Sequence, residues 1–257
     1  MTINACASLV ERGDPDRFAA TMAAPPKARE TLFPLYAFNI EVARAPWVTA
    51  EPLIAEMRLQ WWRDVVAAPA SGAALAHEVA GPLHHVIHSK NLPVQTLDRL
   101  IAARRRDIGQ NPFTTQSDLT DYLEDTGAAL MWLAAISLNA PATAEQTARN
   151  AGWATALASY FRAVPDLAAR GRVPLPDASP KAVATLAQLG LSRFDTAHKT
   201  RASIPQNAAP ALFPAWQTRA LLTLAAKDPA AVPEGRLQQS EFARRGGLAW
   251  RSLTGRW

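Results

Sequence analysis

Two groups of side chains in this sequence have the spacing of metal ligands. Asp118, Asp121 and Asp125 fall at i, i+3 and i+7 and share one helix face, an arrangement by which carboxylates can grip a hard cation. His84 and His88 stand at i and i+4 with His85 beside them, but the intervening glutamate of a zinc-protease helix is missing and no third ligand is evident. A plainer reading is adopted for both: acids near a helix N-terminus cap donors and favour the macrodipole, and the histidines serve a surface or helix end. Arg58, Trp61, Trp62 and Arg63 concentrate aromatic area and positive charge on one helix. Adjacent tryptophans point about 100° apart, so one can enter the core while the other stands at a cavity edge or an interface. No G-x-S-x-G elbow and no Walker or Rossmann glycine pattern supplies another chemistry.

The elements that must position these groups are helices. The 257 residues are 49% hydrophobic but only 7% aromatic, and runs of strand-favouring residues are missing. Apolar residues recur at three- and four-residue intervals, which predicts helices near 27–45, 50–66, 71–88, 93–108, 117–138, 143–164, 180–199, 208–226 and 238–253. Pro25-Pro26 reads as a helix entry and Ser117-Asp118 as a cap. No linker divides the chain, so one all-α domain over 1–257 is expected, with residues 1–13 as a mobile N-terminus. The single cysteine, Cys6, has no disulfide partner, and the first residues resemble neither a signal nor a transit peptide. The longest apolar stretch, Gly127 to Leu138, is shorter than the roughly 20 residues that span a bilayer. A soluble, cytoplasmic protein follows as the expectation. Its net charge of +5 permits contact with anionic surfaces, while no zinc-finger, RNP-like or basic heptad pattern supports nucleic acid. Phe242, Ala249, Leu253 and Trp257 form a C-terminal stripe near Arg244, Arg245, Arg251 and Arg256, readable as a docked core helix or as a membrane- or partner-binding one.

Three phrases carry a resemblance to a known family. Leu35-Tyr36-Ala37-Phe38-Asn39 and Arg58-Leu59-Gln60-Trp61-Trp62-Arg63, followed about 110 residues later by Gly171-Arg172-Val173-Pro174-Leu175-Pro176, resemble the squalene/phytoene synthase family. Tyr122 to Leu130 is similar to that family's small-residue helix. The resemblance implies an isoprenoid-synthase helical bundle around a central cavity. It also implies two aspartate-rich motifs on facing helices, which in the synthases hold Mg²⁺ against a prenyl diphosphate.

Here both motifs are degenerate. Ala43, Arg44 and Trp47 occupy the aspartate positions of the first, and Glu41 lies on another face of the helix. Pro46 should end or kink that helix. The second motif aligns on Arg162-Ala163-Val164-Pro165-Asp166-Leu167, where Ala163 and Leu167 replace the spaced aspartates and Asp166 alone keeps an acid; the upstream asparagine position is Ser159. A hard cation needs several oxygen ligands before it can act as a Lewis acid on a leaving diphosphate. The resemblance is accordingly to the non-catalytic branch that includes the mitochondrial respiratory complex I assembly factor. It implies a pseudoenzyme without metal or cofactor, a scaffold for a respiratory complex subunit or assembly intermediate, with association at the inner membrane surface as a further expectation. Two alternatives stay open: an atypical prenyl transferase using Mg²⁺, and a carrier of an isoprenoid or lipid tail. Candidate cavity or partner contacts are Tyr36, Phe38, Asn39, Arg58, Trp61, Trp62, Tyr122, Arg162 and Arg172. Small residues at Gly127, Ala128, Ala129, Ala134 and Ala135, and at Gly152, Ala154 and Ala156, are expected to keep the facing helices from filling the bundle centre.

Overall fold

A computed structural model describes residues 3–70, 77–109, 111–254 and 257, and among them there is no β-strand. The all-α expectation holds. Twelve α-helices are described: α1 (Ile3–Gly13), α2 (Pro15–Met22), α3 (Pro26–Arg44), α4 (Pro52–Ala67), α5 (Ala80–Ser89), α6 (Val94–Ala103), α7 (Gln116–Leu123), α8 (Ala129–Ser137), α9 (Glu145–Ala169), α10 (Pro180–Lys199), α11 (Thr218–Lys227) and α12 (Glu241–Thr254). Residues 71–76 of the helix expected at 71–88 lie outside the described residues.

The N-terminus corrects the sequence reading. Residues 3–13, expected to be mobile, form α1 and bury Cys6, Leu9 and Val10 against the core. The apolar positions repeat at helical spacing, but the segment is short and closes at Gly13. A second helix follows at once, because Asp14 caps α2 by accepting from the Arg17 backbone N–H at 3.0 Å.

Helix α3 runs through the centre. Leu32, Phe33, Leu35, Tyr36, Ala37 and Phe38 are all buried, as befits a helix apolar on most of its faces. It stops at Arg44, and Ala45–Trp47 continue as a 3₁₀ turn around Pro46. Pro165, by contrast, sits inside α9, which continues to Ala169. The Ser117-Asp118 cap moves by two residues: Thr115 is the N-cap and Asp118 closes a capping box with it. Residues 208–226 divide into a 3₁₀ segment, Ala209–Gln217, and α11.

Between α7 and α8 the chain makes one π-helical stretch, Glu124–Ala128, packed on α9. Gly127 and Gly152 meet there. A Cβ on Gly127 would stand 2.1 Å from the Ala156 Cβ, and one on Gly152 would stand 2.9 Å from the Gly127 carbonyl oxygen. These glycines bring the two backbones together, where the sequence reading gave them only the task of leaving space.

The C-terminal stripe divides. Phe242, Ala249 and Leu253 face outward, whereas Trp257 packs half-buried with its ring centroid 6.0 Å from that of His198. Arg244 pairs with Asp16 and Glu241. The Arg245 side chain and Arg256 lie outside the described residues. Among the described residues no helix is long and apolar enough to cross a membrane.

Candidate functional site

The two segments aligned with the aspartate-rich motifs converge. Ala43, Arg44 and Trp47 at the end of α3 and Ala163, Asp166 and Leu167 on α9 line one open cavity of about 820 Å³. Trp47 and Leu167 stand in its wall without closing it. A smaller space of about 240 Å³ continues inward, bounded by Arg17, Tyr36, Gly127, Leu130, Gly152 and Ala156 among others. The two share Asp14, Asn39, Arg104, Tyr122, Ser159 and Tyr160.

The charge of this site is opposite to what a cation needs. Seven arginines and three aspartates line the two spaces. Asp166 is the one carboxylate left in either motif, and Glu41 is turned into a pair with Arg44 at 2.9 Å. Among the described residues no three His, Cys, Asp or Glu side chains come together in a way that could hold a metal ion. The donor set therefore does not fit the Mg²⁺ cluster of a synthase. The histidines have other work: His84 and His88 lie 3.2 and 3.0 Å from the Pro69 and Ala68 carbonyls beyond the end of α4. Asp118 is held by its capping box, and the backbone donors of Thr115 and Thr114 keep its carboxyl below the usual range.

Local structure explains how the arginines arrive. Helix α9 ends in a Schellman turn: the Arg172 N–H reaches the Leu167 carbonyl at 3.0 Å, and the Gly171 N–H reaches that of Ala168 at 2.9 Å. Gly171 takes the left-handed conformation this requires, at φ 76°. The turn aims Arg170 and Arg172 back at the cavity, where their guanidiniums lie 5.3 and 4.9 Å from the Trp47 ring centroid. The Trp47 ring thus faces two cations at the cavity wall.

At the cavity wall the Tyr122 hydroxyl joins Arg104 to Asp107. It accepts from Arg104 Nη1 at 2.6 Å and donates to Asp107 Oδ2 at 2.9 Å. Arg172 donates to the Asp107 backbone carbonyl at 3.0 Å. Burial pushes the Asp107 carboxyl up, against the opposing pull of Arg104 and Tyr122, and burial likewise raises the Tyr122 and Tyr160 phenols.

Of the residues singled out in the sequence, Tyr36, Asn39, Tyr122 and Arg172 line the cavity. Phe38 and Trp62 do not: both are core residues stacked edge to face at 5.4 Å. Arg162 points outward to Asp16 at 2.7 Å. Arg58 and Trp61 belong to the outer face of α4, with Leu53, Ile54 and Met57, which are 71%, 46% and 63% exposed. Arg17, Arg104 and Arg106 were not singled out. The run Arg104-Arg105-Arg106-Asp107 after an amphipathic helix was the available signal, and nothing local marks Arg17.

The squalene/phytoene synthase family profile matches residues 10–181. The chain belongs to this family. The structure is similar to a dehydrosqualene synthase crystallised with a ligand, with a TM-score of 0.80 at 16% identity over 96% of this chain and 93% of that one. It is also similar to the squalene synthase HpnC of Alicyclobacillus acidocaldarius, with a TM-score of 0.74 at 18% identity over 89% of this chain and 94% of that one. At such identities these likenesses describe the fold. In sequence the chain is 32% identical over 176 residues to the complex I assembly factor 6 homolog of Drosophila melanogaster, covering 66% of this chain and 52% of the relative. The bovine and human assembly factor 6 proteins match at 27% and 26% over 172 residues. The chain spans about half the length of the curated relatives it matches.

Proposed function

We propose that this chain is a non-catalytic member of its family, a scaffold that binds a subunit or assembly intermediate of respiratory complex I. The observation that carries the reading is the exchange of charge at the site: two facing motifs that need carboxylates retain only Asp166, and arginines occupy the same cavity. Ionising an allylic diphosphate without a metal would leave the departing charge to guanidiniums alone, with no template to bridge its oxygens. The named assembly factors among its relatives support the same direction.

The face offered to the partner is the outer side of α4. Val48, Leu53, Ile54, Met57 and Trp61 are all exposed within a stretch of fourteen residues, a density of apolar surface that marks interaction sites. Its charges are balanced: Arg58 is flanked by Glu51 and Asp64, while Glu56 and Arg63 are engaged with Arg105 and Asp98. A lipid-binding face would carry a cationic excess, so the balance favours a protein partner.

The decisive assay incubates the purified chain with farnesyl or geranylgeranyl diphosphate and Mg²⁺ and follows diphosphate release. No release above the protein-free rate is expected. Sustained Mg²⁺-dependent release, abolished by Asp166→Ala, would return the chain to the enzymes.

A further inference from the structure

A separate cavity of about 660 Å³ opens between α10, α11, α12 and the 3₁₀ segment Ala209–Gln217. It shares no lining residue with the two spaces described above, and all of its lining lies beyond residue 181, where the family profile ends. The match to the family therefore does not reach it. Phe194, Trp216, Leu224 and Trp257 give it apolar walls. Such walls offer polar groups little to bond, and three are left over: Trp216 Nε1, Arg251 Nε and His198 Nδ1 are buried without a hydrogen-bond partner. Trp216 is only 7% exposed, so bulk water does not serve its N–H. A buried donor left unmet is costly, and the gathering of such groups on one cavity indicates a ligand that accepts.

Two of these donors meet at Gly247. A Cβ there would stand 3.8 Å from both Arg251 Nη1 and Trp216 Cδ1, the carbon next to the indole nitrogen. Guanidinium and indole edge thus lie within twice that distance of each other, near enough for one group with two oxygens to meet both. Arg251 is pinned along its own helix, since its Nη1 donates to the Gly247 carbonyl at 3.0 Å. The charge on the site is small. No carboxylate lines the cavity, Arg219 is committed to Asp195, and Lys227 stands exposed at the rim. Burial, helped by Arg201 and Arg219, pushes His198 down and keeps its imidazole neutral. Arg251 is left as the buried cation, and burial lowers its guanidinium with no acid to oppose it. A single buried charge is answered by a monoanion. A carboxylate brings two acceptor oxygens and no donor, in a plane that matches a guanidinium, and the apolar walls call for a hydrocarbon or aromatic body behind it.

We propose that the cavity under α12 binds a small carboxylate carried on an apolar body, its oxygens held by Arg251 and the Trp216 N–H. The site stands apart from the assembly reading: a chain that binds such a carboxylate but plays no part in complex I assembly keeps this proposal and loses the other.

Calorimetric titration of the full chain tests it, with octanoate and 3-phenylpropanoate as probes and with acetate and 1-octanol as controls that lack the body or the charge. Saturable binding of at least one probe is expected, about tenfold or more tighter than either control. Arg251→Gln should weaken it by about tenfold, the loss of a charge-assisted hydrogen bond. Trp216→Phe keeps a ring in the wall but removes the N–H, and should weaken binding by about fivefold, the share of a neutral donor. It decides the matter if Arg251→Gln fails to fold. Tighter binding of octanoate identifies an aliphatic body, and tighter binding of 3-phenylpropanoate an aromatic one. Absence of saturable binding of either probe at millimolar concentration overturns the proposal. So does 1-octanol binding as tightly as the probes, or affinity unchanged in both variants.

Discussion

Trp47 shows how one residue changes what a site can hold. An aspartate at the end of α3 would present charge to a cation, whereas an indole presents a π-face, and Arg170 and Arg172 have taken their places over it. Cys6 is a second residue whose environment decides its chemistry. Burial raises its thiol to about 11, with Glu78 adding to the rise, so the folded value stands above the ordinary 9.0. The stability this contributes is fully present below the unfolded value and is lost as pH rises through the folded one. The native chain should therefore resist alkylation by iodoacetamide at pH 8 and label promptly in urea, as followed by mass spectrometry. Labelling of the native chain at the rate of a free thiol would mean that α1 is not docked. That Ala43, Trp47, Ala163 and Leu167 belong to one site was legible in the sequence, because each sits inside a contiguous phrase with a fixed frame. Arg17 and Arg104 were not, since they come from segments far apart in the chain and only the packed helices bring them to one cavity.

Helices were legible wherever the apolar spacing ran long, as in α3, α9 and α10, because burial of one stripe enforces that period. The two shortest N-terminal elements escaped, α1 because its stripe spans only three turns and α2 because its signal is a cap, not a period. What the small residues do was not legible either. Composition permits an open centre or a close crossing, and the choice depends on how near the facing backbone lies. At Gly127 it lies so near that an added Cβ would overlap the Ala156 Cβ at 2.1 Å. Gly127→Ala should destabilise the fold by about 3 kcal/mol in urea denaturation, at the upper end of ordinary overpacking. Ala156→Gly removes the opposing methyl, and the double variant should recover much of that loss despite the helical cost of the new glycine. Strict additivity of the two losses would show that the crossing is looser than described. Either way the effect belongs to the element, because neither side chain makes a polar contact.

At the scale of the molecule, the same bundle presents an arginine-lined cavity and, on another surface, an apolar face on α4. The two are joined through the core: Trp62 packs edge to face on Phe38 of α3, and Trp61 stacks on Trp62 with centroids 4.8 Å apart. Because Leu53 and Met57 are 71% and 63% exposed, replacing both by aspartate removes little buried apolar area. The doubly substituted chain should unfold within about 1 kcal/mol of the parent, as surface changes do. If α4 is the docking face, two carboxylates placed in an interface core would nonetheless be desolvated without partners, a cost large enough to abolish most binding. Cells carrying only this variant should therefore accumulate incomplete complex I on native gels, as cells lacking the chain should on the scaffold reading, while the variant itself remains at normal abundance. Normal complex I in the variant cells, together with a defect in cells lacking the chain, would move the partner site away from α4 and leave the scaffold reading intact. Normal complex I in both would remove the scaffold reading itself.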